Sequence, residues 1–198
     1  MSKLRGFDGK PLKPQLEMIR LNDPIPVLPD MAQGYAVRPI NIDDLNSYTE
    51  TFSTAFDETP PFGELVQNSL PKGFLCVEYL PTGTVVASAS AAIYKISQHP
   101  NGHSLQWVVA HSEHRGKGIG HAVISATTEV LSNYAPDYSY LSTDDFRLPA
   151  ISIYLKLGWQ PLLFDQDQKT RWQQIFSILK KTFCESDWPK VPPIMRDK

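Results

Sequence analysis

The 198-residue sequence is poor in cysteine, in net charge and in long apolar segments. Its two cysteines, Cys76 and Cys184, are too few for the disulfide framework of a small secreted protein or for a cysteine-based zinc module. The formal net charge of −2 gives no large positive field to hold a nucleic-acid backbone. No apolar run approaches the roughly 20 residues of a membrane helix, and no apolar signal segment opens the chain. We therefore expect a cytoplasmic protein with no nucleic-acid or membrane partner and no bound metal.

Proline is abundant and unevenly placed. Six of the 17 prolines lie in the first 39 residues and three lie in the last ten. Because proline fixes φ and lacks a backbone donor, these stretches are typical of extended segments. We predict a proline-rich arm over residues 1–34, one folded domain over 35–185 and a tail over 186–198. The arm is expected to pack along the domain or to join a homodimer contact.

The hydrophobic pattern of the domain alternates between the periods of strands and helices. Asn41 is a candidate N-cap for the first helix, and Pro81-Thr82-Gly83 is a hairpin signal between two strands. Pro149 suits the first turn of a helix, and Gly158 suits the position just after its end. The predicted strands are 35–40, 73–80, 84–96, 103–110, 138–143 and 159–164. The predicted helices are 41–55, a short one near 64–70, 116–134, 149–157 and 168–183.

This order of elements predicts a mixed α/β fold, with a largely antiparallel sheet flanked by helices. Three consecutive strands should form an antiparallel meander. The strand–helix–strand unit that follows, from residue 103 to residue 143, should be a right-handed parallel crossover.

The sharpest chemical signal is the glycine-rich segment Arg115–Gly120, which joins a strand to a helix. Glycines at alternate positions remove Cβ atoms where a ligand approaches the backbone. The free N–H groups of a helix N-terminus bind anions, and Arg115 and Lys117 add positive charge. The spacing fits neither a Walker loop nor the GxGxxG fingerprint of dinucleotide-binding folds. A pyrophosphate is the natural ligand, although a loop that merely turns the chain has the same glycines.

Two motifs resemble those of the GNAT superfamily of acyl-CoA-dependent N-acyltransferases. Arg115, Gly118 and Gly120 match its pyrophosphate motif [QR]-x-x-G-x-[GA]. The second motif, A-x-x-x-Y-x-x-x-G-[FW], is matched about 40 residues later. Arg147 stands where many members have asparagine. The segment 143–159, followed by Arg-Trp at 171–172, is similar to a bacterial branch related to mycothiol-synthase-like domains. The residues that match the second motif are Ala150, Tyr154, Gly158 and Trp159.

The resemblance implies acetyl-CoA as the acyl donor and Tyr154 as the general acid that protonates the departing thiolate. Without the motif, Tyr154 would be an aromatic residue of the core. The resemblance also implies that the strand before the loop pairs its backbone with the pantetheine arm. The cofactor-binding residues implied in this way are Val108, Val109, Ala110, Arg115, Gly116, Lys117, Gly118, Ile119, Gly120 and His121.

The general base stays open at this stage. Counting back by two from Val108 reaches Gln106 and Ser104, and neither is a base. Asp144 and Asp145 could act through a water molecule, or could cap the next helix. The acidic pair at 57–58 could attract a cationic acceptor or could be a solvated loop.

The resulting hypothesis is an N-acetyltransferase in which a primary amine of a small molecule or peptide attacks acetyl-CoA directly. The alternative is a regulatory module that binds acyl-CoA on the same fold without catalysis. His111 and His114 have HxxH spacing without a third ligand nearby, so we expect surface histidines there. Cys76 is expected in the core.

Overall fold

A computed structural model describes residues 15–27, 30–135, 137–164, 167–184, 186 and 188. These residues form one seven-stranded sheet with five α-helices. The strands are β1 (Leu16–Leu21), β2 (Tyr35–Pro39), β3 (Ser69–Tyr79), β4 (Thr84–Ile93), β5 (His103–Ala110), β6 (Tyr138–Thr143) and β7 (Gln160–Leu162). The helices are α1 (Leu45–Ser53), α2 (Phe62–Asn68), α3 (Ile119–Tyr134), α4 (Leu148–Lys156) and α5 (Gln168–Ile178).

The strand order in the sheet is β2-β3-β4-β5-β6-β1-β7. The antiparallel meander of β3, β4 and β5 is confirmed, and β5 pairs with β6 in parallel after the crossover through α3. The mixed α/β class with a mostly antiparallel sheet is therefore confirmed. No helix in the described part of the chain is long and apolar enough to cross a membrane.

Strand β1 corrects the expectation of an extended arm over residues 1–34. Residues 16–21 lie inside the sheet, antiparallel to β6 on one side and to β7 on the other. This strand was not predicted, because Glu17 and Arg20 interrupt its apolar pattern. Both side chains are nevertheless buried, at 6% and 3% exposure. Glu17 bonds the buried His99 ring at 2.9 Å, and Arg20 reaches backbone carbonyls. Residues 1–14, and nearly all of the tail after residue 185, lie outside the described residues.

The two faces of the sheet carry different helices. Along β3, Phe74 and Cys76 pack into an aromatic cluster with α1 and α2. The alternate residues Leu75 and Val77 pack into the larger core that includes α3 and α4. Since successive side chains of a strand point to opposite faces, α1 and α2 cover one face and α3 and α4 cover the other.

Several element ends differ from the predictions for local reasons. Helix α5 ends at Ile178 and not at residue 183, because Lys180 adopts a left-handed conformation with φ of 54°. The Lys181 N–H then bonds the Phe176 carbonyl at 2.9 Å, which closes a Schellman turn. Asn41 caps the chain as predicted, but the first turn is a 3-10 helix, and α1 starts at Leu45.

Candidate active site

Strands β5 and β6 diverge along their length. Among the described residues they pair at one position, Ser104 with Tyr140. Two residues further along each strand, Gln106 and Ser142 both line an opening between the strands. The remaining length of β5 therefore presents backbone N–H and C=O groups that β6 does not use. Such groups are available to an extended ligand that enters the gap.

A β-bulge in β5 sets the shape of this opening. On β4, Ser88 and Ser90 are two residues apart, while their partners on β5, Val109 and Gln106, are three apart. The bulge lies between Gln106 and Val109. Within it, Trp107 adopts a left-handed conformation with φ of 49°, which is strained for an aromatic residue. The bulge breaks the strict alternation assumed in the sequence analysis, so that Gln106 and Trp107 both line the same pocket.

The glycine-rich loop follows β5 and opens α3. Gly116 and Gly118 have φ of 75° and 80°, conformations that favour glycine. Gly118 is the N-cap of α3, and its carbonyl accepts the first helical hydrogen bond from Ala122 N–H, at 3.0 Å. The N–H groups of the first turn have no acceptor within the helix and carry the positive end of its dipole. The loop therefore has the donors that an anionic phosphate requires.

The predicted cofactor residues differ in what they expose. Arg115, Gly116 and Lys117 are exposed, so their side chains and backbone are accessible to a ligand. Ile119 is only 2% exposed and packs in the main core, so it offers its backbone N–H and not its side chain. His121 is half-buried, and burial together with the charge of Lys156 lowers its pKa.

The residues before the loop lie on the diverging part of β5. Val108 and Ala110 are partly buried against the core of the α3 face, and Val109 between them is buried. Val109 pairs with Ser88 of β4, so its strand partner lies away from the gap. This arrangement leaves the β6 side of β5 as the side that a ligand could pair with.

Tyr154 lies in α4 on the same face of the sheet as α3. It is 5% exposed, and burial raises the pKa of its phenol well above the usual value, against a smaller lowering by the charge of Arg147. The hydroxyl therefore stays protonated at neutral pH, as a general acid must be before it acts.

The end of α4 explains the spacing of the second motif. Gly158 has φ of 84°, and its N–H bonds the Leu155 carbonyl at 3.3 Å. The Trp159 N–H bonds the Tyr154 carbonyl at 3.0 Å. This Schellman turn brings the Trp159 ring to 6.4 Å from the Tyr154 ring. Glycine four residues after the tyrosine is thus the residue that fixes the helix end, and the aromatic residue that follows packs on the tyrosine.

The sequence that forms this arrangement matches a known protein family. Residues 41–159 match the model of the acetyltransferase (GNAT) family, which covers more than half of the chain. The chain belongs to the GNAT acetyltransferase family. A curated relative, the uncharacterized N-acetyltransferase YobR of Bacillus subtilis (strain 168), is 38% identical over 55 residues, 28% of this chain and 22% of that protein.

Solved structures show the same GNAT fold. A GCN5-related N-acetyltransferase from Sphaerobacter thermophilus aligns with a TM-score of 0.58 and 19% identity, over 76% of this chain and 50% of that one. A GNAT protein from Novosphingobium aromaticivorans DSM 12444, described as an acetyltransferase, aligns with a TM-score of 0.55 and 18% identity, over 75% and 61%. The chain thus spans about half the length of the first of these structures. The closer likeness to mycothiol-synthase-like domains stays a prediction.

The glycine loop of this GNAT domain also contacts a segment that sequence reasoning did not connect with it. The Ala32 N–H bonds the Lys117 carbonyl at 2.9 Å. A Cβ built on Gly118 would lie 3.1 Å from the Met31 Cα and 3.2 Å from the Asp30 carbonyl oxygen. The segment between β1 and β2 therefore holds the outer side of the loop. No motif marks this contact in the sequence.

Arg147 precedes α4, and its side chain contacts Asp144 and Phe56. Its Nε donates to an Asp144 carboxylate oxygen at 3.0 Å, and its guanidinium lies over the Phe56 ring at 4.6 Å. Gln15 also donates to Asp144, at 3.3 Å. Asp145 is paired with Arg171. In the described structure both aspartates are therefore paired with arginines. Of the two roles considered for them, the helix cap is not formed, because Arg147 occupies the N-cap position without a side-chain cap bond.

A pocket of about 280 Å³ lies on the opposite face of the sheet from Tyr154, under α2. Its floor includes the β5–β6 gap, so a molecule in the pocket can meet a ligand that enters the gap from the α3 side. Glu64, in the first turn of α2, is the acidic residue of its lining. No local sequence pattern marks Glu64 as a lining residue of this pocket. The side chains that line the pocket come from α2, β4, β5, β6 and their flanks: Gln15, Glu64, Leu65, Asn68, Ala92, Tyr94, Ile96, Gln106, Trp107, Tyr140 and Ser142.

The histidine pair of the loop serves packing and turn formation. The His111 Nδ1 accepts from Glu113 N–H at 3.3 Å, and the His114 Nδ1 bonds the Tyr35 hydroxyl at 2.9 Å. Within the described residues no group of three histidines, cysteines or carboxylates could hold a metal ion.

Other candidate residues lie away from the gap. Cys76 is buried as expected, and burial raises the pKa of its thiol to about 12. Asp57 and Glu58 are exposed and do not line the pocket, so the structure does not bring them to the gap.

Proposed function

We propose that the protein is an N-acetyltransferase that moves the acetyl group of acetyl-CoA to a primary amine in one step. The observation that carries the proposal is the juxtaposition of the diverging strands β5 and β6 with the glycine-capped N-terminus of α3. One feature suits an extended acyl-pantetheine chain, and the other suits the pyrophosphate at its end.

The residues fit the donor as follows. The pyrophosphate would accept hydrogen bonds from the N–H groups of residues 118–121, with Arg115 and Lys117 adding positive charge at the exposed rim. Gly116 leaves open space, because a Cβ built there has no neighbour within 4 Å. The pantetheine arm would pair with the free edge of β5 near Val108 to Ala110. A β5 backbone N–H near Val109 would donate to the thioester oxygen as negative charge develops on it.

The acceptor would approach from the α2 face through the pocket. Its neutral amine attacks the thioester carbon, the new C–N bond forms, and the C–S bond breaks. Tyr154, which burial keeps protonated at neutral pH, would give its proton to the departing thiolate. The proton that the attacking nitrogen loses as the amide forms would pass through water to the phenolate and restore Tyr154. An ammonium acceptor must first lose a proton. Since the described residues that line the gap include no histidine, water in the pocket is the proposed route for that proton.

The experiment is an acetyl-transfer assay with the full chain. Acetyl-CoA is mixed with a panel of primary amines, free thiol is followed by absorbance, and the acetylated amine is identified by mass. Thiol release that depends on both the protein and an amine, with a product 42 Da heavier than the amine, would support the proposal. Binding of acetyl-CoA without transfer to any amine would indicate the regulatory alternative.

A further inference from the structure

The charged side chain that lines the pocket under α2 is acidic. Its lining includes the carboxylate of Glu64 and no lysine, arginine or histidine among the described residues. No ion pair joins Glu64 to a cation in the described part of the chain, so its charge is available to a ligand. Arg147, which is not among the lining residues, is paired with Asp144.

Three aromatic residues also line this pocket. Tyr94, Trp107 and Tyr140 all line the pocket, and the face of an aromatic ring attracts cations. The Tyr140 hydroxyl is engaged with the Tyr94 carbonyl at 2.6 Å, which fixes the relative position of these two residues. Trp107 is fixed by its bulge and by the Phe52 and Phe56 rings, at 5.4 and 5.2 Å. Fixed aromatic side chains therefore form part of the pocket lining.

The positions of these groups separate two functions within the pocket. The gap in its floor, beside Gln106 and Ser142, is where an amine would be acetylated. Glu64 comes from α2, whereas Gln106 and Ser142 come from β5 and β6. A carboxylate in the wall can bind a second positive charge on the same acceptor while the first amine lies at the gap.

We propose that the acceptor is a small molecule with two cationic centres, such as an alkyl diamine, and that Glu64 binds the centre that is not acetylated. This inference rests on the proposed function and narrows its acceptor class. An acceptor with a carboxylate or phosphate in place of the second amine would be repelled by Glu64 and would find no basic lining residue to offset this.

The test uses three CoA conjugates with equal tails. CoA sulfur is joined through an acetyl bridge to the amide of 1,4-diaminobutane, of n-butylamine or of 4-aminobutanoate, which gives a cationic, a neutral and an anionic end. CoA alone is the reference for the donor site. Dissociation constants are measured by calorimetry at low and high salt for the native chain, for Glu64→Gln and for Glu50→Gln. Glu50 is an exposed carboxylate of α1 on the same side of the sheet and serves as the matched control.

The cationic conjugate should bind about tenfold more tightly than the neutral one, and the anionic conjugate should bind more weakly than both. Glu64→Gln should reduce the spread among the conjugates to about twofold without changing the affinity for CoA, while Glu50→Gln should keep it. Equal affinities for the three conjugates, or a spread that survives Glu64→Gln, would overturn the inference and leave the proposed function standing. Failure of CoA itself to bind would overturn both.

Discussion

The Arg20 guanidinium of β1 donates from Nε to the carbonyl of Leu157, at 2.9 Å, just after the last residue of α4. The same side chain bonds the Ser132 hydroxyl of α3 at 3.0 Å. One buried cation from the N-terminal strand thus joins the ends of the two helices that flank the candidate donor site. Burial lowers the pKa of Arg20, while Asp23 opposes this effect. Helix α4, which carries Tyr154, is therefore fixed by β1, a strand that lies outside both GNAT motifs.

Replacing Arg20 with methionine should lower the free energy of unfolding by about 2 to 3 kcal/mol, because buried carbonyl groups lose their donor. Urea denaturation measures the change. Lys95→Met, at an exposed cation, should change it by less than about 0.5 kcal/mol. Equal effects of the two substitutions would show that Arg20 contributes no specific hydrogen bonding.

Tyr154→Phe should reduce kcat about 100-fold and leave the Kd for acetyl-CoA unchanged, since the ring remains in the core and only the proton donor is lost. The measurement is steady-state acetyl transfer together with calorimetric binding. Because burial raises the pKa of Tyr154, the native enzyme should show no loss of activity from this residue up to about pH 9. Tyr134→Phe, at an exposed tyrosine of α3, is the control. A Tyr154→Phe variant with native kcat would reduce Tyr154 to a packing residue.

Gly118→Ala should destabilise the fold by about 1 to 2 kcal/mol, because the new side chain has a left-handed backbone and meets Met31 and Asp30. It should also weaken CoA binding at least tenfold by displacing the loop. Gly120→Ala is the matched control, since its Cβ would meet only Ile153 Cδ1, at 3.6 Å. That variant should keep or raise stability by up to about 1 kcal/mol and should bind CoA normally. Urea melts and calorimetry distinguish the two, and equal behaviour would contradict the role of the loop geometry.

Asp44 should make stability depend on pH below about 4. Hydrogen bonds from Arg38, at 2.7 and 2.8 Å, hold the pKa of this buried carboxyl below its ordinary value, against a smaller opposing effect of burial. A lowered folded-state pKa stabilises the protein above the unfolded pKa, and this contribution is lost as pH falls through the folded value. Asp44→Asn should therefore cost about 1 to 3 kcal/mol at pH 7, and the difference from the native chain should shrink below pH 4.

Urea denaturation at pH 7, 5, 4 and 3 provides the comparison for Asp44→Asn. Asp43→Asn removes a charge from the exposed neighbouring side chain and is the control, because Asp43 has no bond to Arg38 in the described structure. A difference for Asp44→Asn that is constant over this pH range would show that the Arg38 pair does not set the acid dependence.

The parts of the fold that follow from local sequence were predicted well. The meander, the crossover and the glycine-capped ends of α3 and α4 each depend on nearby residues such as Gly118 and Gly158. The parts that depend on distant partners were not predicted. Strand β1 contains buried charges whose partners include His99 and Leu157, and these partners lie far along the chain.

The candidate site likewise contains residues that local sequence indicates and residues that it does not. Motif spacing identified the loop and Tyr154, both of which lie on the α3 face. It could not identify Glu64, since an exposed residue in the first turn of α2 lines the pocket only through the packing of α2 on the sheet. The bulge at Trp107 was also invisible to strict counting along β5, because the bulge arises from pairing with β4.

The most direct test of the donor site is thermal unfolding of the full chain with acetyl-CoA, with CoA and with ATP. A ligand at a hundredfold excess over its Kd stabilises the folded state by about 2.7 kcal/mol, which for a chain of this size raises Tm by about 5 to 10 °C. We expect this rise with acetyl-CoA and with CoA, and none with ATP. No rise at millimolar acetyl-CoA, or an equal rise with all three ligands, would contradict the assignment of the β5–β6 gap and the α3 N-terminus as an acetyl-CoA site.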